Sequence, residues 1–95
     1  MRIELIKFGD ILISRPSGKE AYLAMSAYLT KNIDKNTPII IDFGRVKVMT
    51  PSWADEIITK IVSEFKNVKF ENTSNPTVQS TLKILEEYSG LKLKK

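Results

Sequence analysis

The chain has 95 residues, 42% hydrophobic and 27% charged, and its formal net charge at pH 7 is +4. This composition is ordinary for a globular protein, and the length suits a single domain spanning residues 1–95. Cysteine and histidine are both absent. Their absence excludes disulfides and thiolate metal sites, and it removes the commonest general base and metal ligand. We therefore expect a non-enzymatic domain without cofactor or metal, located in a reducing cytoplasm.

The charge distribution leaves two interpretations of the positive net charge. Four of the basic residues, Lys83, Lys92, Lys94 and Lys95, lie in or beyond the last predicted helix. A solvated basic tail at about residues 91–95 is the simpler interpretation, and binding to nucleic acid or another anionic surface is the alternative. Residues 1–7 are too short and too charged for a signal peptide, and no apolar run is long enough to cross a bilayer. We expect no association with a membrane.

The first predicted elements are two short strands at residues 3–8 and 11–14. Gly9 and Asp10 lie between them and favour a two-residue hairpin turn. The segment Arg15-Pro16-Ser17-Gly18 then breaks the strand pattern. We interpret it as a turn, although Arg15, Ser17 and Gly18 could also form a loop that contacts an anion.

A first helix is predicted from about residue 19 to residue 32. Ser17 is a suitable N-cap, and Glu20 three residues later completes a capping-box pattern. Apolar residues recur at helical spacing and predict a single buried face. The members of this face are Ala21, Ala24, Met25, Tyr28 and Leu29.

The centre of the chain contains the most hydrophobic strand and the clearest helix. Residues 39–41 are three consecutive isoleucines, which is typical of a central strand buried on both faces. A turn at residues 42–45 and a short apolar connection follow. Pro51 suits the first turn of a helix, with Thr50 or Ser52 as its cap. The stripe of this second helix comprises Ala54, Ile57, Ile58, Ile61, Val62 and Phe65.

The last predicted elements are a strand at residues 67–70 and a third helix. Asn75 followed by Pro76 indicates the start of that helix, and Gly90 indicates its end. Its inner face comprises Val78, Leu82 and Leu85, with Tyr88 at the edge. The predicted order is ββαβαβα, an α/β fold with a mixed, mostly parallel four-stranded sheet and three helices. The opening hairpin supplies the antiparallel strand.

Residues 50–56 contain the strongest candidates for a functional surface. Ser52 is either a helix N-cap or an exposed serine at a helix N-terminus, open to phosphorylation or partner contact. Trp53 is either a core residue or an interface anchor, since tryptophan is enriched among binding hot spots. Asp55 and Glu56 follow within one turn. Catalysis or metal binding by these carboxylates together with Asp42 is a further alternative, but their spacing matches no known ligand set and no histidine accompanies them.

The chain resembles the STAS-like domains of unknown function, which are related to the STAS domains of anti-sigma-factor antagonists. The shared features are an Arg-Pro-x-Gly segment at residues 15–18, a hydrophobic strand that ends in Asp42-Phe43, Val46, and Ser52-Trp53-Ala54-Asp55-Glu56 at the start of a helix. The resemblance covers roughly residues 10–88. It implies a small STAS-like fold.

In the classical antagonists the corresponding turn reads Asp-Ser-Ser-Gly, and a histidine-kinase-like ATPase phosphorylates the second serine. This chain keeps that serine as Ser52 but has Thr50, Pro51 and Trp53 at the other three positions. The resemblance therefore implies a signalling module that binds a protein partner, either such an ATPase or a DNA-binding regulator. We expect the contact surface to include Thr50, Ser52, Trp53, Asp55 and Glu56.

Overall fold

The computed structural model describes residues 1–28 and 30–90. In chain order its elements are β1 (Arg2–Glu4), a 3-10 helix (Leu5–Phe8), β2 (Ile11–Leu12), α1 (Arg15–Tyr28), β3 (Ile39–Asp42), β4 (Val48–Met49), α2 (Pro51–Glu64), β5 (Val68–Glu71) and α3 (Pro76–Ser89). The fold is α/β with three helices, as predicted. The predicted basic tail at residues 91–95 lies outside the described residues, and so does Leu29.

The strands form two parallel sheets rather than one mixed sheet. One sheet has three strands in the order β1-β3-β5, and the other consists of β2 and β4. The predictions of an opening hairpin and of a four-stranded sheet are wrong. Residues 5–8 leave the strand as a 3-10 helix, and Gly9 turns the chain at a φ of 127°. Each of the first two strands therefore pairs with a strand much later in the sequence.

Both β3 and β4 contribute buried residues to the core. β3 is the middle strand of its sheet, with Ile39 and Ile41 fully buried and Ile40 partly buried. The central position of this isoleucine run is confirmed. Val48 and Met49, predicted as a connection, form β4 beside β2, and Met49 is buried in the core.

Helix α1 begins four residues before its predicted start. The Ser14 hydroxyl oxygen accepts a hydrogen bond from the Ser17 N–H at 3.2 Å, so Ser14 takes the capping position that was predicted for Ser17. Pro16 fits the first turn because no intrahelical N–H partner is needed there. The buried face is narrower than predicted and comprises Gly18, Ala21 and Met25, while Ala24 and Tyr28 are exposed.

Capping residues mark the starts of α2 and α3, and a glycine marks the end of α3. Thr50 caps α2, since its Oγ1 accepts from the Trp53 N–H at 3.5 Å. Asn75 caps α3 through bonds to the N–H groups of Thr77 and Val78, at 2.8 and 3.2 Å. Gly90 ends α3 in the left-handed conformation at a φ of 66°, as predicted. The predicted inner faces of both helices are buried, except for the partly buried Val62.

Close contacts hold α1 against α2 and the first half of α3 against β4. α1 packs on α2 through Gly18, where an added Cβ would lie 2.5 Å from the Trp53 carbonyl oxygen. α3 runs along β4, and the hydroxyl groups of Thr77 and Thr81 bond the N–H and C=O of Met49 at 3.1 and 2.9 Å. Among the residues that the structure describes, no helix has both the length and the apolar composition needed to cross a bilayer.

Candidate functional site

An open groove lies beside the first turn of α2. Its volume is about 330 Å³, and all three helices contribute to its walls. We call it the α2 groove; it is lined by Arg15, Pro51, Ser52, Asp55, Ile84, Leu85 and Tyr88. It therefore contains three of the candidate site residues predicted from the sequence: Arg15, Ser52 and Asp55.

Ser52 is exposed at the second position of α2. Its hydroxyl forms no hydrogen bond with any described residue, and the capping function belongs to Thr50. The interpretation of Ser52 as the N-cap is therefore wrong. What remains is an exposed hydroxyl in the α2 groove.

Thr50 has a structural role in this turn. Besides accepting from Trp53, its Oγ1 donates a hydrogen bond to the Ile13 carbonyl oxygen. The bond ties the start of α2 to the chain just after β2. Thr50 is half-buried and lines a second open groove, between the α2 start and α3. Its hydroxyl is thus engaged within the domain, whereas that of Ser52 is not.

Trp53 belongs to the core. Its side chain has 0% exposure, and its ring lies 6.4 Å from that of Phe8. The buried indole Nε1 has no hydrogen-bond partner among the described residues. A fully buried side chain offers no surface to a partner, so the prediction of Trp53 as an interface anchor is corrected. The signal was present in the sequence, because Trp53, Ile57 and Ile61 share the four-residue spacing of one helix face.

Arg15 links the first turn of α1 to the first turn of α2. Its Nη1 lies 2.9 Å from Asp55 Oδ2 and 2.5 Å from Glu56 Oε2. Lys60 Nζ lies 3.5 Å from the other oxygen of Glu56. Hydrogen bonding from Arg15 holds the pKa of Glu56 below its ordinary value, and bonding to Asp55 and then Glu56 raises the pKa of Arg15. The two predicted contact carboxylates are therefore ion-paired.

The other residues of the Arg15-to-Gly18 segment do not form a loop. Gly18 is buried against the backbone of α2, and Ser17 is exposed within the first turn of α1. Neither of them lines the α2 groove. The predicted loop contact is therefore corrected to a helix start from which only Arg15 reaches the groove.

Asp42 lies in a different cluster from Asp55 and Glu56. Its Oδ1 accepts from the Asn72 side chain and the Gly44 N–H, each at 2.8 Å, and its Oδ2 pairs with Arg2 at 3.0 Å. Hydrogen bonds from Asn72 and then Gly44 lower the pKa of Asp42. These partners occupy both carboxylate oxygens and order the turn after β3. Asp42 therefore has the turn role that is the default for such a residue.

Sequence reasoning missed one wall of the α2 groove. Ile84, Leu85 and Tyr88 come from the last turns of α3. Tyr88 is 84% exposed, although it was placed at the edge of the buried face. Its exposure at the end of an apolar stripe could have marked it as a surface aromatic, but no local pattern relates it to Ser52.

The comparisons with known proteins identify the family. The family model described as a STAS-like domain of unknown function matches residues 27–78, more than half of the chain. That match includes β3, β4, α2 and β5, and therefore Ser52, Asp55 and Glu56. Comparisons with curated proteins and with solved structures gave no significant match. The chain belongs to the family of STAS-like domains of unknown function (DUF4325).

Proposed function

We propose that this domain is a non-enzymatic regulatory module that binds a protein partner through the α2 groove. The groove has an apolar wall from α3 and a charged wall from Arg15 and Asp55. Interfaces combine these features, with aromatic anchors surrounded by polar groups. Tyr88 is the exposed aromatic residue of the groove and the natural anchor.

The observation that carries the proposal is the state of Ser52. Its hydroxyl lies in the groove and takes no part in capping α2 or in any hydrogen bond with a described residue. A serine that capped this helix would accept a hydrogen bond from one of the free N–H groups in its first turn. Here Thr50 does so, and Ser52 contributes nothing visible to the stability of the domain.

The partner that suits this site is a histidine-kinase-like ATPase, by resemblance to the anti-sigma-factor antagonists. The ATPase would transfer the γ-phosphoryl group of ATP to Ser52. The bond from the γ-phosphorus to the oxygen that stays with ADP breaks, a bond from phosphorus to Ser52 Oγ forms, and the hydroxyl proton leaves to solvent. A DNA-binding regulator would be the second protein in such a partner switch.

Mass spectrometry tests the phosphorylation directly. The intact protein is incubated with a purified ATPase of this class and ATP, and a mass increase of one phosphate group is expected. The phosphate should map to Ser52, and the Ser52→Ala protein should gain none. Phosphate on Ser17 or Ser63, which are also exposed serines on helices, would argue against Ser52. A stable complex that leaves the protein unmodified would remove the kinase from the proposal.

Binding to nucleic acid or an anionic surface was the alternative interpretation of the positive net charge. It depends chiefly on the basic residues at 92–95, which lie outside the described part of the chain. One groove, which includes Arg2, Lys7 and the exposed Tyr28, does combine cations with aromatics, as such a surface would. Its positive charge is offset, because Glu4 also lines it and Arg2 is paired with Asp42 and Glu71. We therefore propose binding to a protein partner and not to nucleic acid.

A further inference from the structure

Arg15 uses only part of its hydrogen-bonding capacity. A single nitrogen, Nη1, makes both of its ionic contacts, to Asp55 and Glu56. Nε and Nη2 have no partner within the described residues, and the side chain is 52% exposed. The Nε–Nη2 edge of a guanidinium presents two parallel N–H groups, which match two oxygens of a phosphate. Arg15 therefore has an unused edge suited to a phosphate group.

Helix geometry places this edge near Ser52. Residues 52, 55 and 56 share one face of α2, because positions three and four apart are neighbours on a helix. Arg15 bridges Asp55 and Glu56, so its guanidinium lies about one helical turn from Ser52. Arg15 and Ser52 also line the same groove. The two residues are 37 positions apart in the sequence, and only the packing of α1 on α2 brings them together.

The ion pairs also change the electrostatics around Ser52. Unpaired, Asp55 and Glu56 would repel a phosphate within one turn. Arg15 contacts both of them, and Lys60 contacts Glu56 from the other side. Two cations therefore balance the two carboxylates, and a phosphate on Ser52 would enter a region with little net negative charge.

We propose that Arg15 binds the phosphate of phosphorylated Ser52 through its Nε–Nη2 edge, while Nη1 stays between Asp55 and Glu56. This inference rests on the proposed function, because it specifies how a phosphate at that site is held. The contact joins the first turns of α1 and α2 across the α2 groove.

The test installs the phosphate without any kinase. Phosphoserine is incorporated at position 52 by genetic-code expansion, in the wild-type protein and in the Arg15→Gln and Arg45→Gln variants. Arg45 is the matched control, since it is an exposed arginine outside every ion pair of the described residues. Phosphorus NMR then follows the second ionisation of the phosphate between pH 4 and 8, and proton–nitrogen NMR follows the Arg15 Nε–H signal.

The wild-type and Arg45→Gln proteins should show a phosphoserine pKa about half a unit or more below that of Arg15→Gln, because a nearby cation favours the dianion. The Arg15 Nε–H signal should also shift when the phosphate is present. Equal pKa values in the three proteins would overturn the inference. A lower pKa with an unmoved Nε–H signal would overturn it as well, since Arg15 would then act only by neutralising the carboxylates.

The two proposals can fail separately. Because the phosphate is installed during synthesis, this titration does not depend on any kinase. If Arg15 binds the phosphate but no ATPase ever modifies Ser52, the inference about Arg15 stands and the proposed function fails. If an ATPase modifies Ser52 and the titration shows no effect of Arg15, the proposed function stands and the inference fails.

Discussion

The Trp53→Ala protein is expected to lose about 3–5 kcal/mol of unfolding free energy, the usual loss when a fully buried large aromatic is truncated. Trp53 has 0% exposure and packs near Phe8 beneath the start of α2. A loss of this size is a large share of the stability of a small domain. Urea denaturation followed by far-ultraviolet circular dichroism measures it without relying on the fluorophore that the substitution removes.

Two further substitutions separate packing from other effects. Trp53→Phe should cost clearly less than Trp53→Ala, because the ring is partly kept and the indole N–H has no acceptor to lose. Ser52→Ala should change stability by less than about 0.5 kcal/mol, as expected for an exposed residue without hydrogen-bond partners. If Trp53→Ala kept full stability but lost partner binding, the indole would be a surface anchor and the placement in the core would be wrong.

The Gly18→Val substitution should destabilise the protein by about 1–3 kcal/mol, the usual cost of overpacking. A Cβ at this position would lie 2.5 Å from the Trp53 carbonyl oxygen and 3.1 Å from the Glu56 Cβ. The nearest atom is backbone, so α1 has to move away from α2. The loss of stability is measured by the same urea denaturation.

The matched control is Ala27→Val on the exposed side of the same helix. It introduces the same β-branched side chain at an exposed position, and it should cost less than about 1 kcal/mol of helix propensity. Helix propensity alone would leave Gly18→Val unchanged or slightly more stable, because valine is a better helix former than glycine. Unchanged or increased stability of Gly18→Val would therefore contradict the prediction. The close approach of α1 and α2 would then contribute nothing specific at this position.

Local signals predicted the helices better than the sheets. The stripe through Ile57 and Ile61 and the Asn75-Pro76 start depend on neighbours within one or two turns, and the structure has both. Strand pairing depends on distant residues. Nothing near Ile3 or Leu12 indicates that their partners are Ile41 and Met49, so a local hairpin was the simpler expectation.

The candidate site, like the sheets, depends on contacts between residues that are distant in the sequence. The sequence identified Ser52 and Arg15 separately, and it left Ser52 open between a cap and an exposed serine and Arg15 between a turn and a loop contact. Their roles changed because Thr50 and Ser14 took the capping positions. The groove itself requires the end of α3 to lie beside the start of α2, and that placement follows from the bonds between α3 and β4. No spacing within the chain encodes it.

The most direct test of the docking surface compares two exposed tyrosines. Tyr88 lies in the α2 groove with 84% exposure, and Tyr28 lies at the end of α1 with 86% exposure. The affinity of each alanine variant for a purified histidine-kinase-like ATPase is measured by isothermal titration calorimetry. Tyr88→Ala should weaken binding about tenfold or more, as expected for an aromatic anchor, and Tyr28→Ala should leave it nearly unchanged. Unchanged binding of Tyr88→Ala, with loss of binding in Tyr28→Ala, would contradict the assignment of the α2 groove as the docking surface.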